Sequence, residues 1–382
     1  MTDQISRVLL VDDSRVLCLS VESLFKNETD IVFRSCLKAG EAMEAALSFE
    51  PTVILQDLVM PDVEGMEMIQ MFKSDSRTAD IPLVLLSATD EPKTKADAFA
   101  EGANDYIVKL PDRLELLARV RYHSRAYRAM LERNRAFRQI AEDLEQAADY
   151  VRAQLPDQIM DGPIRASYLF VPSSGVGGDL FGYWWLDDDH FAVYLLDTSG
   201  HGVGSCLLSV SAGDILRRRI LPNVDFHNPA AVLETLSSIF PLDPKTGKYF
   251  TIWYGIYCRS KQSLTYAGAG HPPALIIRSE SGMVEELPSI GPFIGLEGFS
   301  YDNSITELHT GDRLYLFSDG VYEIRDHQTG RMWEFSNLKE ILCKALKANR
   351  QSPLIHLLEL ARCSQGSEIL EDDFAIVEFE IN

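Results

Sequence analysis

Apolar runs and amphipathic stretches alternate along the first third of the chain. A short apolar run, typical of a buried strand, is followed by a stretch with helical periodicity, and this pattern recurs five times. The apolar runs are residues 7–11, 31–36, 53–55, 83–86 and 106–108, and the first four precede helical stretches at 15–26, 39–49, 65–73 and 93–101. Alternation of this kind predicts an α/β fold with a doubly wound parallel (βα)5 sheet over residues 1–112.

Polar side chains stand at the carboxyl ends of the predicted strands. Asp12 and Asp13 follow the first strand, Asp57 the third, Ser87 the fourth and Lys109 the fifth. Because the carboxyl ends of parallel strands meet at one edge of a sheet, we expect these groups to lie close together.

From residue 113 to residue 155 the sequence predicts one long helix without Gly or Pro. Residues at alternating steps of four and three follow the 3.5-residue period of a coiled coil. This seam comprises Leu116, Val120, His123, Tyr127, Met130, Asn134, Phe137, Ala141, Leu144, Ala148, Val151 and Leu155. The polar Asn134 can fix register, so the pattern predicts a homodimer through a coiled-coil linker. An amphipathic helix packed on its own domains remains the alternative.

The remaining residues, 156–382, are dominated by short strands with Gly and Pro turns. Predicted strands lie around 165–171, 191–197, 250–258, 263–268, 274–278, 313–318 and 373–381, and predicted helices at 203–219, 229–240, 334–348 and 353–364. Strands in sequence with helices inserted in pairs predict a β-sheet sandwich with helices on its outer faces.

Four aspartates in this region stand where an apolar run breaks into a turn: Asp179, Asp197, Asp319 and Asp372. Each alone is compatible with a turn or a helix cap. As a set beside glycines, they offer the oxygen ligands that Mg²⁺ or Mn²⁺ prefers.

The composition of the chain indicates which class of partner it binds and in which cellular compartment it occurs. The chain has 382 residues and a net charge of −21, which disfavours nucleic acid and anionic membranes. Its six cysteines lie far apart, as in a reduced cytoplasmic protein. No apolar run approaches the roughly 20 residues of a membrane span, and the first residues do not resemble a signal peptide. We therefore expect a cytoplasmic protein whose partners are proteins.

The first third resembles the receiver domain of bacterial response regulators, a flavodoxin-like fold. In that family Asp57, in Ile-Leu-Gln-Asp-Leu-Val-Met-Pro, corresponds to the phospho-acceptor. The resemblance implies a Mg²⁺ ion held by Asp12, Asp13, Asp57 and Val59. The phosphoryl donor would be a histidine kinase or a phosphotransfer protein.

The same resemblance assigns the switch residues of the receiver. Ser87 and Lys109 match the hydroxyl and the cation that contact the phosphoryl group, and Tyr106 matches the aromatic residue whose rotamer responds to phosphorylation. Receivers usually have Lys-Pro, whereas this chain has Lys109-Leu110-Pro111, so the resemblance does not fix the geometry of that loop.

Residues 156–382 resemble the bacterial PP2C-like (PPM) serine/threonine phosphatases, in the branch that dephosphorylates anti-sigma-factor antagonists. The matching motifs are Gly-Gly-Asp at 177–179, Asp-Thr-Ser-Gly-His-Gly at 197–202, Ala-Gly-His-Pro-Pro at 269–273, Ser-Asp-Gly at 318–320 and Asp-Asp at 372–373. The resemblance implies an αββα sandwich with two Mn²⁺ or Mg²⁺ ions.

Ligands follow from position in the family. Asp197 would bridge the metals and the Thr198 carbonyl would add a ligand, while Asp179, Asp319 and Asp372 would complete the set. The resemblance implies structural or outer positions for His201, His271 and Asp373. Its substrate would be phosphoserine or phosphothreonine on a small regulatory protein, an anti-sigma-factor antagonist.

Two other functions deserve comparison. Gly-Gly-Asp-Leu-Phe at 177–181 is one letter from the Gly-Gly-Asp-Glu-Phe motif of diguanylate cyclases, but Leu180 removes the expected acid, and the segment after Pro156 is too short for the preceding cyclase elements. A catalytically weak, phosphatase-like adaptor of a sigma-factor regulator would be marked by lost carboxylates, and all four are present. The sequence thus favours a phosphatase controlled by phosphorylation of Asp57, with the sign of control open.

Overall fold

A computed structural model describes residues 5–347 and 352–382, except positions 62, 110, 174, 201, 243, 246 and 297. The chain divides into two compact units, Met1–Ile140 and Ala141–Asn382. The dividing point lies inside the long helix, and the two units are described separately below.

The N-terminal unit is a five-stranded parallel sheet with strand order β2-β1-β3-β4-β5, which confirms the predicted doubly wound fold. Its strands are β1 Ser6–Val11, β2 Ile31–Cys36, β3 Val53–Asp57, β4 Leu83–Ser87 and β5 Asp105–Val108. Its helices are α1 Arg15–Phe25, α2 Ala39–Phe49, α3 Gly65–Ser74, α4 Pro92–Ala100 and the start of α5 Arg113–Arg152.

Both faces of this sheet are covered. In β1, Leu9 and Val11 face a core shared with α2 and α3, whereas Val8 and Leu10 face a core shared with α1 and α5. The two-residue alternation of a strand explains why a continuous apolar run fits here, since each face meets a helical layer.

Helix α5 uses the predicted seam within its own chain at both ends. Leu116 and Val120 are fully buried in the N-terminal unit. Ala148 and Val151 are buried in the core of the C-terminal unit. Between them Phe137 is 64% exposed. These contacts favour the alternative of packing on the chain's own domains for both ends of the seam, and the homodimer remains a prediction for its middle.

The C-terminal unit contains two five-stranded sheets, with orders β13-β10-β9-β8-β7 and β12-β11-β14-β15-β6. The strands of this unit are β6 Ile164–Val171, β7 Leu180–Trp185, β8 His190–Thr198, β9 Phe250–Cys258, β10 Ser263–Ala269, β11 Ala274–Ile277, β12 Val284–Leu287, β13 Ser304–Glu307, β14 Arg313–Phe317 and β15 Phe374–Ile381. The helices are α6 Val203–Arg218, α7 Pro229–Ile239, α8 Phe335–Lys347 and α9 Pro353–Gln365, with a short 3-10 turn at Asp319–Val321.

Three cores show that these elements form the predicted αββα layers. In β8, Phe191, Val193 and Leu195 point into the core between the sheets. The intervening Ala192 and Tyr194 point to the core beneath α6 and α7. A third core joins the other sheet to α8 and α9.

Three strands were not expected from the sequence: β7, β12 and β13. All three are sheet edges, and β12 (Val-Glu-Glu-Leu) and β13 (Ser-Ile-Thr-Glu) are short and partly exposed. Short polar edge strands lack a clear apolar period, which is why the pattern missed β12 and β13. Among the described helices, none combines the length and apolarity needed to cross a membrane.

Candidate phosphorylation and metal sites

The predicted receiver residues converge at the carboxyl edge of the parallel sheet. Asp57 ends β3 and is 2% exposed, and the Lys109 ammonium lies 2.7 Å from its Oδ2 and 3.1 Å from Asp12 Oδ2. Carboxylate oxygens of Asp12, Asp13 and Asp57 lie within 4.8 Å of one another. Three acids beside one lysine form a pocket suited to a hard cation and a phosphoryl group.

Two backbone details complete this pocket. The Val59 N–H donates to Asp57 Oδ1 at 3.2 Å, while the Val59 side chain is 75% exposed, so this residue meets the pocket through its backbone. Burial raises the pKa of Asp12, partly offset by bonds from Ser14 and Lys109. Leu110, in the loop with unusual sequence, lies outside the described residues.

Thr89 links the predicted switch residues, and the sequence reasoning missed it. Its N–H donates to Ser87 Oγ at 3.2 Å, and its carbonyl accepts from the Tyr106 hydroxyl at 2.6 Å. Tyr106 is 6% exposed and turned inward. Ser87 and Tyr106 are therefore connected through a single residue. Thr89 is two residues from Ser87 in sequence, which is the signal that could have identified it.

The four aspartates of the C-terminal unit come from two strand pairs, one in each sheet. Asp197 is the penultimate residue of β8, and Asp179 immediately precedes β7. The pairing of Leu180 with Leu196 brings these two acids opposite each other. Asp319 opens the 3-10 turn after β14, and Asp372 lies two residues before the first residue of β15, next to that turn.

The charges of these acids act on one another, as expected of groups that lie close together. Burial raises the pKa of Asp319 to about 7, with further contributions from Asp197 and Asp372. Burial likewise raises the pKa of Asp197 to about 6, and burial followed by the charge of Asp197 raises that of Asp179 strongly. Concentrated, poorly compensated negative charge of this kind is typical of a functional site.

Asp373 holds the loop that carries Asp179. Its carboxylate accepts from the backbone N–H of Ser173 at 2.8 Å and of Gly178 at 2.5 Å. A Cβ on Gly177 would lie 2.8 Å from Asp373 Oδ2, so glycine is needed for this approach. Both Asp373 oxygens are therefore committed to the loop, in keeping with the structural role that the resemblance implied. Ser174 lies outside the described residues.

Close backbone approaches position the other ligand candidates. A Cβ on Gly320 would lie 2.2 Å from the Asp373 carbonyl, so only glycine lets the turn of Asp319 approach this segment. Thr198 Oγ1 lies 2.7 Å from Ser209 Oγ, which also bonds the Gly178 carbonyl. Ser209, on α6, thus ties together the two segments that carry Asp179 and Asp197, and nothing in the sequence pattern identified it.

Of the two histidines in the phosphatase motifs, His271 is within the described residues. His271 is 5% exposed, its Nδ1 lies 2.8 Å from Thr251 Oγ1, and burial lowers its pKa to about 3. A neutral, buried imidazole bonded to a threonine fits the structural position implied for it. His201 lies outside the described residues.

Each of the two units matches a known protein family. Residues 8–121 match the response regulator receiver domain, and residues 187–382 match stage II sporulation protein E (SpoIIE). The chain belongs to the SpoIIE family. The SpoIIE match includes Asp197, Asp319 and Asp372, while Asp179 lies before its first residue. This match removes the diguanylate cyclase alternative and confirms a receiver joined to a PP2C-type phosphatase domain.

Individual relatives agree with this SpoIIE assignment. The phosphoserine phosphatase RsbP of Bacillus subtilis is 27% identical over 55% of this chain and 54% of its own length. The phosphoserine phosphatase RsbU of the same organism is 23% identical over 63% of this chain and 70% of its own. The SiaA PP2C domain of Pseudomonas aeruginosa superposes with a TM-score of 0.57 at 22% identity, covering 65% of this chain and 99% of that domain. The chain spans about half the length of the curated relatives it first matches.

The aspartate cluster of the C-terminal unit also has the chemistry of a metal centre. Asp179 Oδ2 is buried and has no hydrogen-bond partner among the described residues. Burying an ionised oxygen without a donor is costly, and a cation supplies the missing partner. No three of the four aspartates place oxygens within 4.8 Å of one another, in contrast to the receiver acids.

Proposed function

We propose that this protein is a response regulator whose C-terminal unit hydrolyses phosphoserine or phosphothreonine on a regulatory protein in a metal-dependent reaction. The observation that carries the proposal is the cluster of aspartates in which the buried Asp179 Oδ2 lacks a donor, and in which burial and the charges of neighbouring acids raise the pKa of Asp179, Asp197 and Asp319. Such a cluster needs cations to remain ionised near neutral pH.

In this proposal Asp179, Asp197, Asp319, Asp372 and the Thr198 carbonyl hold two Mg²⁺ or Mn²⁺ ions. Bound divalent ions supply a nucleophilic hydroxide at neutral pH and neutralise the phosphoryl oxygens. The protein contributes rigid placement: Asp373 fixes the Asp179 loop through Ser173 and Gly178, and Ser209 fixes Thr198. Gly320 allows the Asp319 turn to reach the Asp373 backbone.

We propose a small phosphorylated regulator, an anti-sigma-factor antagonist, as the substrate. Two of the relatives are named phosphoserine phosphatases, which supports a phosphoserine substrate for this chain as well.

The receiver unit would control this activity from Asp57. A histidine kinase or phosphotransfer protein would phosphorylate Asp57, with Mg²⁺ held by Asp12, Asp13 and Asp57 together with the backbone of Val59. Lys109 already lies 2.7 Å from Asp57, where it can neutralise an added phosphoryl group. Ser87 and Thr89 would relay the change to Tyr106, and α5 continues from this unit into the C-terminal core. A homodimer through the middle of α5 is part of this proposal.

The enzyme proposal is tested by phosphate release from a phosphoserine-bearing antagonist protein with Mn²⁺. We expect Asp319→Asn to lower the rate at least about 100-fold, as expected for loss of transition-state charge stabilisation. Asp302→Asn, an exposed acid outside the cluster, is the matched control and should keep the wild-type rate. Equal rates for wild type and Asp319→Asn would refute catalysis at this site. Antagonist binding without phosphate release by the wild type would instead indicate an adaptor.

The control proposal needs a separate measurement. A phosphoryl mimic such as beryllofluoride should change the phosphatase rate of the wild type, in either direction, and leave Asp57→Asn unchanged. An unchanged wild-type rate and oligomeric state would refute regulation through Asp57, without affecting the enzyme proposal.

A further inference from the structure

A second group of potential metal ligands lies in the C-terminal unit, at the far end of β7 and β8 from the aspartate cluster. Ligand atoms of Asp187, His190 and His227 lie within 4.8 Å of one another. His190 opens β8 and Asp197 stands seven positions later, so the two groups are about 23 Å apart along the strand at roughly 3.3 Å per residue. The histidine group is therefore separate from the phosphatase centre.

We propose that Asp187, His190 and His227 form a binding site for a transition-metal ion of the Zn²⁺ class. His190 Nδ1 lies 3.0 Å from both Asp187 oxygens, and His227 Nε2 lies 2.9 Å from Asp187 Oδ2. Two imidazoles and one carboxylate are a common three-ligand set for zinc, with water as the fourth ligand. Imidazole ligands disfavour Mg²⁺, which distinguishes this site from the oxygen-only aspartate cluster.

His227 is held in the orientation that a metal ligand needs. Its Nδ1 lies 2.8 Å from Asp225 Oδ1, and its backbone N–H donates to the same oxygen at 2.9 Å. A carboxylate on one ring nitrogen fixes the ring and directs the other nitrogen outward, as in the carboxylate–histidine–zinc arrangement. Asp225 is therefore a positioning residue in the proposed site.

The segment of His227 is anchored to the core on both sides. The Phe226 carbonyl accepts from the buried Tyr254 hydroxyl at 3.1 Å. Asn228 caps α7 by accepting from the Ala231 N–H. These contacts restrict the loop, so the imidazole is presented by a fixed backbone rather than by a free chain.

The turn between β7 and β8 fixes the other two ligands. Asp187 Oδ1 accepts from the backbone N–H of Asp189 and of His190, each at 2.8 Å, which leaves Oδ2 directed toward His227. The side chains of Asp187, His190 and His227 are 45%, 30% and 41% exposed, so an ion can enter from solvent. A hairpin turn is thus preformed opposite the His227 loop.

At the two separations that involve Asp187, only a small adjustment would admit the ion. Ligand atoms about 2.0–2.1 Å from a tetrahedral zinc lie about 3.3 Å apart, a few tenths more than the separations of 2.9 and 3.0 Å found here. Partly exposed side chains can rotate by that amount. Binding would join the β7–β8 turn to the segment before α7 and stabilise the unit by mass action.

Cys258 offers an alternative ligand set with Asp189 and His190. Asp189 is already engaged: Oδ1 accepts from the Ser260 N–H at 2.8 Å, and Oδ2 accepts from the Ser260 hydroxyl at 2.5 Å. Cys258 is buried behind it, with its Sγ 3.4 Å from Asp189 Oδ2. We therefore assign the site to His227 rather than to Cys258.

The test uses full-length protein with excess Mg²⁺, so that oxygen-only sites are filled. Zn²⁺ affinity is measured by competition with a chromophoric chelator, and Co²⁺ absorbance reports nitrogen ligands. We expect one strong site in the wild type, and at least a tenfold loss of affinity in His190→Gln and in His227→Gln. Asp225→Asn should weaken binding less than either change.

Two controls make the assignment falsifiable. Cys258→Ser and His309→Gln should bind Zn²⁺ like the wild type, and the melting temperature without zinc checks that each variant folds. Zinc should raise the melting temperature of the wild type and not of the double variant His190→Gln/His227→Gln. Equal affinity in that double variant would overturn the proposal. A loss in Cys258→Ser as large as in His227→Gln would overturn the assigned ligand set.

Discussion

The two aspartate clusters of this chain differ in whether a basic side chain neutralises their negative charge. In the receiver, Asp12 and Asp57 face the Lys109 ammonium at 3.1 and 2.7 Å. In the phosphatase unit, Asp179, Asp197 and Asp319 have no ion pair among the described residues. The receiver must remain folded both with and without a phosphoryl group. Lys109 provides a positive charge for its acids in both states. In the phosphatase unit, the negative charge of the aspartates is left to be neutralised by the metal ions that the reaction needs.

Removal of divalent ions should produce the largest contrast. With a strong chelator we expect phosphate release to fall by roughly 1000-fold or more, because the acids alone cannot generate a nucleophile. Backbone hydrogen exchange should accelerate around Asp179, Asp319 and Asp372, whereas β3 near Asp57 should change little because Lys109 remains. Added Mn²⁺ should restore both signals. Persistent activity in chelator, or equal acceleration at Asp57, would contradict the contrast.

Neutralising one acid in each cluster should affect the melting temperature differently. In metal-free protein, Asp319→Asn removes repulsion from Asp197 and should raise the melting temperature of its unit by about 2–4 °C for each kcal/mol relieved. Asp57→Asn removes one of the two carboxylate partners of Lys109 and should give no such increase. Calorimetry of wild type and both variants in chelator measures these melting temperatures. A lower melting temperature for Asp319→Asn would show that the acids are not under electrostatic strain.

The pH dependence of the metal-free protein follows from the same acids. Burial raises the pKa of Asp197 to about 6 and of Asp319 to about 7, above the ordinary carboxyl value of 3.8. The folded state therefore binds more protons than the unfolded state between pH 4 and 7, and stability should fall as pH rises through this window. Denaturation in chelator at several pH values shows whether the free energy of unfolding falls as the pH rises. Asp319→Asn should flatten the slope, and a rising stability would contradict the assignment.

Sequence reasoning reached most of the fold because its signals are local. Five apolar runs, four of them followed by Asp, Ser or Lys, identified the parallel sheet, and the positions of Asp197 and Asp319 in short motifs identified the phosphatase domain. Ser209 escaped because its role depends on a contact between α6 and the Gly178 carbonyl, 31 residues away. The pair His190 and His227 escaped for the same reason, since only the packed fold brings their loops together.

The seam of α5 shows the limit of periodicity. Its spacing fits a coiled coil, yet the same residues fit the receiver core at Leu116 and the phosphatase core at Val151. Period alone identifies a buried stripe and does not say which surface covers it. The middle of the seam, where Phe137 is 64% exposed, is where a partner helix would have to pack.

The smallest predicted effect concerns the relay inside the receiver. Tyr106→Phe removes the hydroxyl that donates to the Thr89 carbonyl at 2.6 Å and leaves the ring in place. We expect a stability cost of about 1 kcal/mol, typical of one hydrogen bond, and normal phosphorylation of Asp57. The response of the phosphatase rate to the mimic should shrink severalfold, because Ser87 and Tyr106 would no longer be linked through Thr89. Tyr122→Phe, on an exposed side chain of α5, is the matched control and should keep the full response. A full response in Tyr106→Phe would mean that control reaches α5 by another route, such as the contact of Asp105 with His123 at 3.0 Å.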